Sequence, residues 1–302
     1  MKKTLIAFLI LLNVFSYSQL SVFIDNKYGF KMPGSYDQFG GYGNSNSSSN
    51  ANTYTMKKYC FGNGYQGSIG LRFGFKNNFG IEIGYSYLLG QKSKTTSNSS
   101  YSGIDNSTNE IKARFSKYCI GMSYLNLQKL SPLLKAGVFM SHGKVISNNN
   151  STWTNTTYSY NPNPPYNTYT ITTTETSSQE FQLTKGISFG FYAALGVSYP
   201  INEKFAMSLC IDAVFHNYCP KKGTTTKYTK NGVNMLGTLT IHDRETEYKA
   251  EFTNIYTPTP NQNVPDVAPK FSVPLSSFGP SFTIYYTLGK KKEMENKTET
   301  AK

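Results

Sequence analysis

Ser141 and His142 stand side by side, the residue types of a hydrolytic nucleophile and its general base, as a hydrolase acting on lipid A would need. Neighbouring strand residues point to opposite faces, which keeps such a pair from touching. The other histidines, His216 and His242, come with no HExxH, GxSxG or repeated Cys/His spacing. The expectation is a chain with no catalytic residue and no enzyme activity. Cys60, Cys119, Cys210 and Cys219 have neither CxxC spacing nor a neighbouring histidine cluster, so no metal site and no cofactor is expected. A disulfide stays open in an exported chain. Cys60 and Cys219 fall near one rim of the strand map and could pair, whereas Cys119 and Cys210 point inward from non-adjacent strands.

The remaining chemistry is ionic. Asp25, Lys27, Arg72, Glu82, Lys117, Lys135 and Asp212 share strand parity with small or polar residues, opposite an apolar face. Enclosed in a narrow barrel they form a nearly balanced lumen charge network, because a buried charge without a partner is very costly. One reading is a salt-bridged plug; the other is a gated polar pathway that opens when the pairs rearrange.

The elements that must carry these charges are strands. Phe79, Ile81, Ile83, Tyr85, Tyr87 and Leu89 alternate with Gly80, Glu82, Gly84 and Ser86. The pattern recurs from Ile187 to Tyr199 and from Phe205 to Phe215. In the last strand Phe278, Phe282, Ile284, Tyr286 and Leu288 share one face, with Gly279, Ser281, Thr283, Tyr285 and Thr287 on the other. Weaker segments lie at 20–30, 69–75, 111–124 and 134–140, which makes about eight strands. Ile111, Ala113 and Phe115 keep one parity and Tyr118, Ile120, Met122 and Tyr124 the other, so a bulge is expected near Ser116-Lys117. Pro280 interrupts the last strand and is placed near the outer rim, at a bulge. Tyr28, Phe30, Tyr87, Tyr124, Tyr199, Phe205, Phe278 and Tyr286 fall near strand ends, where rings suit membrane interfaces, although β-propensity also favours them.

Short links at 76–78, 126–131 and 200–204 alternate with long ones at 32–64, 90–110, 147–185 and 219–275. The long ones are rich in Ser, Thr, Asn, Gly and Pro, as polar external loops or locally disordered segments would be, and the fourth is read as extending as a hairpin above the membrane, since 238–251 alternates in part. The fold class is therefore all-β: a transmembrane antiparallel up-and-down β-barrel with long extracellular loops.

Met1-Lys2-Lys3, an apolar run from Leu5 to Phe15, and the small residues before Gln19 have the form of a secretory signal peptide over 1–18. The barrel is expected over 19–289 and a charged periplasmic tail over 290–302. The formal net charge of +13 makes nucleic acid the usual first guess, but an export signal argues against nucleic acid as a partner. Lipopolysaccharide phosphates at the outer leaflet are the better candidate, beside the plainer reading that these lysines are solvated loop residues.

The segments Tyr87 to Thr96 (YLLGQKSKTT) and Pro220 to Gly232 (PKKGTTTKYTKNG), with the signal segment and the repeated strands, resemble the small outer-membrane β-barrel proteins of Bacteroidetes. That porin-family group broadly resembles the OmpX and OmpA-barrel type. The resemblance implies an outer-membrane location in a Gram-negative cell, membrane lipid and the barrel assembly machinery as partners, and a monomer. The last strand ends on Leu288 and a tail rather than on the final aromatic such barrels usually carry. The expected function is a non-enzymatic integral barrel whose surface-exposed loops serve structural or adhesion roles; the alternative is a narrow porin-like channel for small solutes. A soluble ligand-binding barrel would need the reverse partition, apolar inside and polar outside.

Overall fold

The computed structural model describes residues 19–32, 45–48, 51–54, 61–75, 78–99, 104–127, 129–160, 168–251 and 260–288. The proposed signal segment, the charged tail and Cys60 lie outside them. Period-two alternation is realised throughout as strand. In chain order these are β1 (Gln19–Lys31), β2 (Ser45–Ser48), β3 (Ala51–Tyr54), β4 (Gly64–Gly74), β5 (Phe79–Gly90), β6 (Ser93–Ser99), β7 (Ile104–Tyr124), β8 (Ser131–Tyr160) and β9 (Thr168–Thr184). There follow β10 (Ile187–Pro200), β11 (Phe205–Tyr218), β12 (Lys222–Lys230), β13 (Val233–Asn234), β14 (Glu245–Lys249), β15 (Asp266–Pro269), β16 (Val273–Pro274) and β17 (Ser277–Leu288). A single helical turn, α1 (Ile241–Arg244), is capped by the Thr240 hydroxyl, which accepts from the Asp243 amide.

Antiparallel pairing runs from β1 to β4, β5, β7, β8, β10, β11 and β17, and β17 returns to β1. Register partners can be followed round this cycle from Leu20 through Phe73, Ile81, Met122, Ala136, Ala193, Ala213 and Phe278 to Phe30. The path comes back to its own strand ten residues further along. Every residue on it points away from the enclosed space, as the parity of the sequence requires.

One end of the cycle is closed by tight turns. Phe75 donates to the Phe79 carbonyl at 2.6 Å, Ile201 to that of Phe205 at 2.8 Å, and the Asn202 side chain accepts from the amides of Lys204 and Phe205 at 2.9 Å each. Asn78, at φ 67°, takes the left-handed conformation that asparagine tolerates in a turn.

At the other end the strands do not stop. β8 pairs with β10 up to His142 and with β9 from Val145 to Tyr160; β9 in turn pairs with β12, and β12 with β13 and β14. The described parts of the connections expected to be loops or disorder are therefore in good part sheet, and the described residues form seventeen strands, eight of them in the cycle. Threonine supplies the reason: it is β-branched and fits a pleated surface without being apolar. Ser151 and Ser177 hydroxyls, and those of Thr154 and Thr174, meet across β8 and β9 at 2.7 and 3.3 Å.

Two local expectations are corrected. No bulge occurs at Ser116-Lys117: the β7 register against β8 is continuous from Ile104 to Tyr124, and against β5 from Arg114 to Tyr124. The parity changes because Ile111, Ala113 and Phe115 face an apolar interior above the level where Tyr118, Ile120 and Met122 face outward. The extra residue sits on the neighbour instead, where the β5–β6 side advances from Leu89 to Ser93 while β7 moves only from Arg114 to Ile111. At Pro280 the β11–β17 register is also unshifted. The β1–β17 ladder passes from Lys27–Ser281 to Phe30–Phe278, leaving two pairs unmade where proline supplies no N–H.

Candidate functional site

The inward face is layered along the strands. At the turn end Phe23, Leu125, Leu127, Leu133, Ala194, Ala206, Cys210 and Tyr285 form one buried apolar cluster. At the opposite end Phe61, Leu88, Ile111, Ala113, Phe115, Val145, Leu183, Tyr218, Val273 and Leu275 form a second. These clusters were not foreseen from strand parity, which marked the interior only as small or polar. Val273, Leu275 and Phe61 belong to segments that fold in from the long connections while Tyr218 ends β11, and the amide of Phe61 donates to the Pro274 carbonyl at 3.0 Å.

The charges lie between the clusters. All seven expected positions face inward. Lys27, Arg72, Glu82, Lys117 and Asp212 are buried; Asp25 and Lys135 are partly so. Six of them line one cavity of about 70 Å³, together with Gln66, Ser86, Cys119 and Tyr192. Arg72 stands apart toward the turns, donating to the Ser123 hydroxyl at 3.0 Å and to the carbonyls of Asn78 at 3.0 Å and Leu125 at 3.4 Å. It thereby adds a donor to two backbone carbonyls at the turn end, that of Asn78 being shared with the Leu125 amide.

Only two direct ion pairs form in this layer among the described residues: Lys135 with Glu82 at 3.5 Å and Lys27 with Asp212 at 4.0 Å. The Lys135 ammonium also stands 5.1 Å from the Tyr285 ring centre and 5.5 Å from that of Phe23. Asp25 accepts from the Thr283 hydroxyl at 2.8 Å. Lys117 donates to the Gln66 side-chain carbonyl at 2.8 Å and lies over the Phe139 ring at 5.1 Å. Facing glycines make room for this layer. A Cβ on Gly121 or Gly137 would collide with Tyr192, whose ring lies along the inner face of β8 and β7 there.

The outward face is largely apolar; its polar members Asn26 and Ser116 are hydrogen-bonded to the wall tyrosines Tyr65 and Tyr85. Ile69, Ile83, Ile120, Val138, Leu195, Leu209 and Ile211 are each half or more exposed. Rings cluster toward both ends of the wall: Phe79 with Tyr124 at 5.1 Å and Phe205 with Tyr286 at 4.9 Å near the turns, Tyr28 with Phe30 at 5.2 Å and Phe30 with Phe278 at 6.0 Å at the far end.

A model of the outer membrane protein beta-barrel domain matches residues 7–234. The chain belongs to that family. No match was found among curated proteins.

In this outer-membrane β-barrel domain, the serine–histidine contact that spacing brings to mind is made by other partners. Ser141 is fully buried while His142 is exposed and stacks on Tyr118 at 5.8 Å. The Ser141 hydroxyl instead meets His216 Nε2 at 2.7 Å, and the Ser188 hydroxyl meets both. His216 is wedged edge-on against Phe115 and Phe139, and its Nδ1 has no partner to orient it as a base. All three groups are buried, and the triplet ties β8, β10 and β11 together. Nothing in the sequence marked it, since its members are 28 to 75 residues apart. Cys119 and Cys210 carry free thiols on non-adjacent strands, and the Cys60–Cys219 pairing involves a residue outside those described.

Above the wall, the basic residues of β12 largely have acidic partners. Lys222 donates to Glu245 at 2.6 Å and Lys230 to Glu175 at 2.9 Å. The Lys222 contact, first among several, holds the Glu245 carboxyl below its ordinary 4.5. Hydrogen bonds from Thr226 and then Gln182 lower Glu180 likewise.

Proposed function

We propose that the eight strands of the pairing cycle cross the outer membrane as a closed, non-conducting barrel, and that the sheet above them is a polar platform for contacts outside the cell. The carrying observation is the inverted partition: large aliphatic side chains outward, ions and hydroxyls inward. Exposed to water, a contiguous belt of that size would be an aggregation surface; against acyl chains it loses nothing.

The stagger of the pairing supports this reading. A ten-residue offset over eight strands, with about 3.3 Å of rise per residue and about 4.8 Å between strands, corresponds to a strand tilt of about 41°. Transmembrane barrels tilt by about 35–45°. The paired rings toward both ends of the wall suit the two interfaces, and the charged tier between two apolar clusters favours a plug over a pathway. The non-enzymatic role, export by residues 1–18, a monomeric state and kinship with the Bacteroidetes and OmpX-like barrels belong to the same proposal. The internal ion pairs of β12 favour solvated loop lysines over a lipopolysaccharide site.

Recording from the refolded protein in planar bilayers tests the closed lumen. No steady conductance is expected. A stable ion-selective conductance would replace the plug with a narrow transport barrel.

A further inference from the structure

The internal ion pairs found on β12 are missing from the outward face of β7 and β8, where those strands leave the wall. Arg114 and Lys144 are direct register partners there, and Lys112 follows two residues beyond Arg114, opposite Ile146. All three share the parity that turns Tyr118 and Met140 outward lower on the same strands. No carboxylate among the described residues lies within ion-pair distance of any of them. Like charges directly opposite one another are destabilising, so this rung is held at a cost. The acidic residues facing outward beside it are engaged elsewhere: Glu110 pairs with Lys92 at 3.2 Å, and Glu180 accepts from Thr226 and Gln182 at 2.7 Å each. Lys144 donates to the neutral Gln182 side chain at 3.1 Å. Lys94 and Lys227, opposite Glu110 and Glu180 in the ladders, add positive charge to the same face.

The height of these cations is a second, independent observation. At the tilt of about 41° each residue along a strand adds about 2.5 Å along the barrel axis. Arg114 and Lys144, each four residues further out than Tyr118 and Met140, therefore stand about 10 Å above the top of the wall on those strands. The headgroup layer is roughly 5–8 Å deep on each side of the hydrocarbon, and arginine and lysine stems bend back into it. The outer ends of β1, β4, β10 and β17 present Phe30, Tyr65, Ile187 and Phe278 instead, so the cations mark one side of the barrel.

We propose that Lys112, Arg114 and Lys144 dock the phosphate of an outer-leaflet glycolipid of the lipopolysaccharide class. A phosphomonoester dianion removes the repulsion across the Arg114–Lys144 rung, and its oxygens match the planar fork of Arg114. The acyl chains of the same lipid would lie along Tyr118, Ile120 and Val138 directly below, each exposed on the wall. A zwitterionic phospholipid has the chains without the net charge. The inference rests on the membrane placement proposed above.

The test uses the refolded full barrel in uncharged detergent micelles, with native mass spectrometry counting the lipid retained. The probes are lipid A carrying its phosphates, the same lipid after the phosphates are removed, and phosphatidylglycerol. The wild type should retain one phosphorylated lipid A and bind the dephosphorylated form about tenfold or more weakly. Lys112→Gln with Arg114→Gln and Lys144→Gln should bring the two forms level. Lys221→Gln with Lys249→Gln and Lys270→Gln, the same change in net charge on exposed platform lysines, should leave the preference intact. Unboiled gel mobility verifies that both triple variants fold. Equal retention of the two forms by the wild type, equal losses in the two triple variants, or a preference for phosphatidylglycerol, a phosphodiester monoanion, would each overturn the site. A barrel that inserts into vesicles yet shows no phosphate preference loses the site alone, whereas one that does not insert loses the membrane placement as well.

Discussion

Glu82→Ala removes the carboxylate that faces Lys135 in the middle of the lumen. The two side chains are 5% and 9% exposed and approach to 3.5 Å. At an effective dielectric of about 20 their attraction is about 5 kcal/mol, most of which offsets the cost of taking both ions out of water. The intact pair is therefore worth little in net terms, the more so because Glu82 Oε1 has no hydrogen-bond partner. Truncating one member is a different matter. The Lys135 ammonium would be left to the rings of Phe23 and Tyr285, at about 0.5–2 kcal/mol each, and to Asp25, which lines the same cavity but makes no direct ion pair with it. The single variant should lose about 3–5 kcal/mol, whereas Glu82→Leu with Lys135→Met should stay within about 1 kcal/mol of the wild type. Urea unfolding in lipid vesicles, read from the mobility of unboiled samples on gels, measures both. A single variant that loses under about 1 kcal/mol, or a double variant that loses as much as the single, would refute the reasoning.

Other perturbations separate the wall from the platform and the plug. Ile211 and Val233 are similarly exposed, at 68% and 61%, yet Ile211→Arg should cost about 2–4 kcal/mol in vesicles and Val233→Arg under about 0.5. Equal costs in the same unfolding assay would contradict the placement of the wall. Phe115→Ala empties a site that is 0% exposed and packed edge-on against Tyr218 at 4.8 Å, so a loss of about 3–5 kcal/mol is expected. The Glu245 carboxyl is held low by Lys222, so its contribution is complete above pH 4.5 and fades as pH falls through the folded value. Amide exchange at Lys222 to Thr224 should accelerate over that acid range in the wild type, and Glu245→Gln should flatten the dependence.

The wall was legible because its two faces differ so sharply in chemistry. Period-two contrast from Ile187 to Tyr199 or from Phe205 to Phe215 needs no tertiary information, and every inward charge follows from it. Above the wall, Thr152, Thr154, Thr172 and Thr174 form strand as readily, but with both faces polar the contrast vanishes and the segments look like loops. The parity change between Phe115 and Tyr118 was visible, yet a change of environment along an unbroken strand gives the same pattern as a bulge. Which charges meet was hidden for another reason. Lys135 and Glu82 meet over the intervening β7, beside Gly121, and the pairing of Ser141 with His216 spans 75 residues. Period-two patterns say which way a side chain points, not what it will find there.

The most direct test of the outward apolar wall uses the one tryptophan of the chain, Trp153, which lies on β8 beyond the point where β8 leaves β10. In vesicles of lipids brominated along their acyl chains, Trp153 fluorescence should be nearly unquenched. With Trp153→Phe as background, Leu195→Trp at mid-wall, where the native residue is 64% exposed, should be strongly quenched. A tryptophan at 195 that escapes the bromines, or quenching at 153 as deep as at 195, would contradict the account.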